Sequence, residues 1–432
     1  MASANAASKY EEITISRTKK KTGQGGQGKT VTKSVNGKVT SFSYYESLYS
    51  PVVTAKVIYI DSAESTKNQL EISGNEDVRF KIQSKYGTLD FNRKSANSGM
   101  KVKGSPQTGR ESNREAVFLD LVSKWEMKNK TTAVHDKYSN VTIGDAVIII
   151  LKRKLGVDYD FFDVEATKNM YDFTGKGKSP FEIITDLARK AVPVKGDPGF
   201  FFYETQDGFN FKSVNSLVSQ EPKQVYVYNG SFRADQKGDD NDFKILKQPN
   251  FIKDQNVVTA LESGTYASRN IFFNPFNKEF AERIYKINDK GGIDQALGNS
   301  VEVDDELTGY IRTNKHILDI GSLKVGVSTS INNSPAEWQA KSTMRYNILH
   351  SQILQMMVPC NLELRAGDVI KVEIESLENE KCSEGVDKRQ SGKYLILHLC
   401  HFFDTTKSVT SLTLVRDTYG LHTSKKWIKI FG

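Results

Sequence analysis

The sequence predicts an α+β, mainly β protein with β-rich ends around a mixed middle. Three observations carry this. The first is a period-two alternation near the start, where Val78, Phe80 and Ile82 alternate with Arg79, Lys81 and Gln83, the pattern of a half-buried strand. The second is the stretch Gly199–Phe211, two aromatic runs joined by a polar turn. Phe200 and Phe202 share one face and Phe209 and Phe211 share one on the return, with Asp207-Gly208 offering the positive-φ position of a tight hairpin. So aromatic a hairpin is stable only under another layer. The third is a pair of helix starts of one design, Ser179-Pro180-Phe181-Glu182 and Ser334-Pro335-Ala336-Glu337, each a capping box with proline at the first helical position.

The first section contains Ile13 and Ile15, then Val52–Ile60, then the alternating strand. Two polar stretches interrupt it, Arg17–Lys38 and Asn92–Asn113, rich in Gly, Lys, Ser, Gln or Arg and expected to be flexible insertions. In the middle section Val117, Leu119 and Leu121 predict a strand, and Thr142–Leu155 a short helix ending near Gly156. The helix at Pro180 buries Ile183, Ile184, Leu187 and Ala188 and is stopped by Pro193, ahead of the aromatic hairpin. Val257–Gly264 predicts a helix with a glycine stop, and Asn270–Phe280 with Arg283–Ile287 another hairpin turning at Asn274-Pro275. The last section opens near Lys324–Thr329. Its helix from Pro335 is expected to reach about Met357, and two strand pairings follow, Asn361–Leu364 with Val369–Ile374 and Lys393–Phe403 with Ser408–Arg416. Tyr394–Phe403 is apolar on both faces and is expected to be central. The end, Lys425–Phe431, is a basic, aromatic tail.

At 432 residues the chain is long enough for two to four domains. Its net charge of +8 is concentrated in loop-like stretches and argues only weakly for nucleic acid or a membrane surface. Three cysteines without a CxxC fit folding in a reducing cytosol. The first residues lack an apolar signal core, and the longest apolar run, Ala146–Leu151, is too short to span a bilayer, so a soluble chain is expected.

Several segments imitate chemistry. Gly23-Gln24-Gly25-Gly26-Gln27-Gly28-Lys29-Thr30 matches a phosphate-binding loop, and Val57–Asp61 imitates the strand that ends on a magnesium-holding acid. That loop works only when a buried strand feeds it and a helix leaves it. Here Arg17–Thr22 feeds it and Val31–Gly37, β-branched and then broken by glycine, leaves it, so a mobile Gly/Lys loop is expected. In His398-Leu399-Cys400-His401 the strand period turns His401 away from His398 and Cys400, against one shared metal. Asp235–Asp242 lacks the order of a calcium loop, and Asp304-Asp305-Glu306 has no acid–base spacing. No catalytic, cofactor-binding or metal-binding residue is assigned.

Several segments taken in order resemble the baseplate hub subunit of contractile-tailed bacteriophages, a family related to the hub region of type VI secretion spike proteins. They are Tyr44–Thr54, Pro198–Phe209, Gly264–Arg269 with Asn274–Phe276, Asn361–Ile370, and Ser391–Leu395 with Leu412–Gly420. The resemblance implies two tail-tube-like antiparallel β-barrel domains with a mixed α/β domain inserted. The division is residues 1–114 for the first barrel, with insertions 17–38 and 92–113; 115–222 and 250–322 for the middle domain; 223–249 and 323–420 for the second barrel, with helix 335–357; and 421–432 for the tail. It further implies a non-enzymatic homotrimer adapting a threefold central spike to the sixfold tail tube. The expected partners are the tail-tube initiator or tube protein, the spike and baseplate wedge proteins. DNA would only pass through the channel, and no cofactor or membrane insertion is implied. The location would be the virion baseplate after assembly in the host cytoplasm. The alternatives are a nucleotide-binding enzyme using Gly23–Thr30 and a nucleic-acid-binding module using the basic insertions.

Overall fold

The computed structural model describes residues 7–19, 29–62, 66–92, 99–111, 114–228, 243–254, 256–275, 278–287, 297, 305–309, 312–317, 335–375, 387 and 389–418. The first section forms β1 (Lys9–Lys19), β2 (Lys29–Ser34), β3 (Val39–Ser47), β4 (Thr54–Ser62), a short helix α1 (Thr66–Leu70), β5 (Asp77–Gln83), β6 (Thr88–Asp90), β7 (Met100–Val102), β8 (Gln107–Glu111) and β9 (Arg114–Ser123). Alternation places Val78, Phe80 and Ile82 in a core with Phe42 and Phe91, whose rings each lie 4.8 Å from that of Phe80.

Three expectations change here. The strand at Val117–Leu121, read as part of the middle section, is β9 and pairs with β4, β7 and β8. Residues 99–111, read as flexible, supply β7 and β8, with Met100 and Val102 fully buried. A two-residue apolar alternation inside a Gly/Ser/Lys stretch is too short to register as a period. The ends of the other polar stretch form the antiparallel β1–β2 pair, Thr14↔Ser34 to Lys19↔Lys29. Its centre, and the segments 235–242 and 421–432, lie outside the described residues.

The middle section continues with α2 (Lys124–Thr131), β10 (Lys137–Tyr138), α3 (Ile143–Ile149), β11 (Phe162–Val164), β12 (Phe173–Thr174), α4 (Pro180–Ala188), β13 (Phe200–Thr205), β14 (Gly208–Ser213) and α5 (Val214–Val218). A π-helical turn, Ile150–Leu155, extends α3 to Gly156, whose φ of +67° ends it as expected. α4 begins on Pro180, but the Ser179 side chain makes no capping bond. Asn129 of α2 takes that role, accepting from the Phe181 N–H at 2.9 Å.

The aromatic hairpin pairs Phe202 with Phe211 and Glu204 with Phe209. Phe200, Phe202, Phe209 and Phe211 face Phe181, Ile184 and Leu187, while Phe201 and Tyr203 face Leu217, Leu395 and Leu397. Each fully buried ring contributes roughly 1.5–3 kcal/mol. Gly208 has φ +133°, and a Cβ there would sit 2.3 Å from the Phe161 carbonyl oxygen. Gly208→Ala is therefore expected to lower stability by roughly 2–4 kcal/mol, through a strained φ and displacement of a paired backbone. Urea unfolding measures it, and a loss below about 1 kcal/mol contradicts the close approach.

The remainder forms β15 (Val225–Tyr228), β16 (Asn250–Lys253), α6 (Val257–Glu262), β17 (Ala267–Asn274), β18 (Glu279–Lys286), α7 (Asp305–Gly309), β19 (Arg312–Ile317), α8 (Pro335–Leu349), β20 (Gln352–Pro359), β21 (Val369–Ile374), β22 (Gly392–Asp404) and β23 (Ser408–Arg416). α8 starts at Pro335 but stops at Leu349, well before Met357. Gln352–Pro359 is instead a strand between β16 and β23, with Leu354, Met356 and Val358 inward. Its Gln, Leu and Met residues are good helix formers, and tertiary pairing overrides that preference. Asn361–Leu364 forms no strand; β21 pairs with β15 and β22. β22 pairs with β23 as expected and is central.

The decisive contact is long-range. β22 also pairs antiparallel with β3, from His398↔Ser47 to Asp404↔Ser41. The two ends of the chain thereby join one 15-stranded sheet, ordered β16-β20-β23-β22-β3-β4-β9-β7-β5-β1-β2, with β15, β21, β6 and β8 attached beside it. The first core is completed from the far end by Cys360, Leu362 and Phe403. No helix among the described residues is long and apolar enough to cross a membrane.

Candidate functional site: the buried junction and the exposed sheet row

Three ionisable residues, Glu46, Arg365 and Glu204, hold the aromatic hairpin where the sections meet. Glu46 lies on β3 beside Tyr44, and both are buried. The Tyr44 hydroxyl donates to Glu46 Oε1 at 2.9 Å, the Gln206 N–H to the same oxygen at 2.8 Å, and the Ala366 N–H to Oε2 at 2.9 Å. Gln206 Nε2 donates to the Thr88 carbonyl at 3.1 Å, and Arg365 Nε to Asp207 Oδ2 at 2.8 Å. The hairpin turn is thus tied to β3, to the first section and to the loop before β21. On the adjoining strand Glu204 accepts from the Val53 N–H at 3.1 Å and from the Ser123 hydroxyl at 2.8 Å. A carboxylate accepting backbone N–H groups from separate segments fixes their mutual position.

Burial dominates the electrostatics here. It raises the Glu46 carboxyl despite the nearby Arg365 guanidinium. It pushes Glu204 up to about 8, against the pull of Ser123 and Val53. An unfolded glutamate titrates near ~4.3. Between those values the folded state holds a proton that the unfolded state lacks, so this group's stabilisation is complete at low pH and is lost as pH rises through about 8. Buried His401 acts oppositely: burial and then Arg365 push it down to about 3, and its contribution is lost as pH falls below the unfolded histidine range. Glu204→Gln preserves an acceptor for Val53 and a partner for Ser123. It is expected to flatten the decline in stability between about pH 5 and pH 8 relative to the unaltered chain. Denaturation at stepped pH tests this, and parallel curves for the two proteins contradict it.

The segments that imitate chemistry have other surroundings. Lys29–Ser34 is strand β2, so the residues leaving the glycine loop form no helix, and Gly23–Gly28 lies outside the described residues. Asp61 is buried with Lys38 Nζ at 3.3 Å. On β22, His398 Nδ1 meets the Ser47 hydroxyl at 2.8 Å while His401 Nδ1 meets Thr410 Oγ1 at 2.9 Å inside the core. Asp305 and Glu306 lie on α7, and Asp304 is outside the described residues. Among the described residues no three His, Cys, Asp or Glu side chains gather as a metal site. Glu46, Glu204 and Arg365 are the residues that sequence reading missed. The available signal was a carboxylate ending an aromatic run, as in Tyr44-Tyr45-Glu46 and Phe202-Tyr203-Glu204.

A second feature is the three-stranded sheet β18-β17-β19. One face packs through Ser268 and Phe272, the former with its hydroxyl on Met344 of α8. On the other, Phe273 pairs across to Phe280 and Ile317. These side chains are 42 %, 63 % and 80 % exposed, a row of apolar side chains near the Asn274-Pro275 turn.

No protein-family model and no curated relative matches the chain. Solved structures do. A tail protein from Neisseria meningitidis MC58 superimposes with a TM-score of 0.55 at 9% identity, covering 94% of this chain and 97% of that one. The 43 kDa tail protein of prophage MuSo2 from Shewanella oneidensis gives 0.52 at 10% identity, covering 95% and 100%. The likeness spans both ends and the middle, so this chain has the fold of these tail proteins.

Proposed function

We propose that the chain is a structural baseplate hub of a contractile phage tail, a homotrimer that adapts the threefold central spike to the sixfold tail tube and lines part of the DNA channel. The observation that carries this is the β22–β3 pairing, which sets two strand-rich modules edge to edge in one subunit. Three copies then present six modules. Two β-barrels related to tube subunits fit this arrangement. In the module of β15, β20, β21, β22 and β23, the Ile245 N–H donates to the Val227 carbonyl and the Leu246 N–H to that of Met357, linking β15 towards β20 and leaving few open edges. β9 favours extending the first barrel beyond residue 114, and β16, which pairs with β20, goes with the second barrel, so the middle domain keeps 124–222 and 254–322.

The reading is non-enzymatic and needs no cofactor. Its partners are the tail-tube initiator or tube protein, the spike and baseplate wedge proteins, in the virion tail after assembly in the host cytoplasm. The Phe273–Phe280–Ile317 row supplies apolar contact area for such assembly. An obligate interface of this type buries more than roughly 2,000 Å². Native mass and negative-stain images of the purified chain test it. A threefold ring with six strand-rich lobes is expected, and a stable monomer both with and without spike protein overturns it.

A further inference from the structure

Away from the junction, α8 stands against the middle section with a cleft on either side of Trp338. The larger, about 840 Å³, runs between α4, the start of β13 and α8, lined by Arg189, Phe201, Tyr346 and His350 among others. The smaller, about 360 Å³, lies between the 192–198 loop, β18 and α8, lined by Lys168, Tyr285 and Lys341. Trp338 lines both, so the two clefts adjoin at its side chain and are taken together as a stepped groove.

The charge along this groove is uneven. Four cations line it: Lys168, Arg189, Lys190 and Lys341. The carboxylates lining it are Asp186 and Asp197, and Asp186 is already engaged by Lys178 at 2.7 Å. Lys190 Nζ donates to the Tyr171 hydroxyl at 2.8 Å, which leaves its charge uncompensated by that contact. Arg189 and Lys168 are exposed. Most of the aromatic lining is set into the walls, with Tyr171, Phe201 and Trp338 buried; Tyr49 is exposed, and its ring stacks on His350.

We propose that this groove binds an extended acidic peptide segment of a partner protein, with carboxylates on the cationic rim and one or two apolar side chains in the wells beside Trp338. Charge complementarity selects the occupant. It excludes the chain's own last residues, whose Lys425, Lys426 and Lys429 would be repelled. It favours a peptide over single-stranded nucleic acid, which stacks successive bases on a series of exposed aromatic faces, whereas the exposed ring here, Tyr49, is already stacked on His350. The inference does not depend on the oligomeric state proposed above.

The test uses the full chain and an array of short synthetic peptides in which several glutamates are spaced around two leucines or phenylalanines. The same array with lysine for glutamate and a short oligothymidylate serve as controls, read by fluorescence anisotropy. Acidic peptides are expected to bind and to perturb tryptophan emission, a signal lost in Trp338→Phe. Arg189→Glu combined with Lys168→Glu, both at exposed positions, is expected to weaken binding by about tenfold or more, with the circular dichroism spectrum unchanged. The proposal is overturned if no acidic peptide binds, if the lysine array binds equally, if the double variant binds like the unaltered chain, or if oligothymidylate competes.

Discussion

Glu46→Ala is expected to destabilise the chain by roughly 3–6 kcal/mol, a large share of the ~5–15 kcal/mol typical of a folded domain. Three buried donors lose their acceptor together: the Tyr44 hydroxyl and the N–H groups of Gln206 and Ala366. Each unsatisfied buried donor costs about 1–3 kcal/mol. The cavity left by the side chain admits no compensating partner unless water enters. Glu46→Gln should fall between, because one amide oxygen cannot serve all the donors and the new NH₂ must face at least one N–H. The damage should concentrate where the hairpin turn meets β3 and the loop before β21, so amide exchange should rise first at Gln206 and Ala366. Denaturant unfolding with exchange measurements reads both. A loss under about 1 kcal/mol, or exchange rising elsewhere first, contradicts the role given to Glu46.

Removing one partner of the Arg345–Asp417 pair should have a comparable effect. The two charges meet at 3.0 Å with both side chains fully buried. Arg345 Nε donates to Asn215 Oδ1 at 2.8 Å, and the Leu297 N–H donates to Asp417 Oδ1 at 3.2 Å. The pair thus locks α8 to the end of β23 and to α5. Arg345→Met removes the guanidinium that faces the buried Asp417 carboxylate, and about 3–5 kcal/mol is expected to be lost. Adding Asp417→Leu removes that charge as well. The double variant should therefore be more stable than the sum of the single losses by about 2 kcal/mol or more. Additive losses would mean that the charges are not coupled.

Much of the local structure was legible from the chain, and so was the overall mainly β class. The aromatic hairpin, the helix starts at Pro180 and Pro335, and the end at Gly156 all depend on short-range rules: a fixed proline φ, a left-handed glycine, and apolar side chains recurring every second residue. The pairing of β22 with β23 was legible because a short turn separates two apolar strands. The candidate junction was not. Glu46 and Glu204 are common surface residues by composition, and only the approach of Gln206, Ala366, Val53 and Ser123 from other segments makes their burial tolerable.

By itself the sequence determined the mainly β class, the aromatic hairpin at Gly199–Phe211 and the place where α4 and α8 begin, because each rests on interactions between residues a few positions apart. The tertiary structure decided that β3 lies beside β22, that Gln352–Pro359 is a strand, that Asn129 caps α4 and that Met100 and Val102 enter the core. These depend on partners distant in the chain. Non-local pairing is selected by the free energy of the assembled sheet and leaves no periodic trace in the segments that make it.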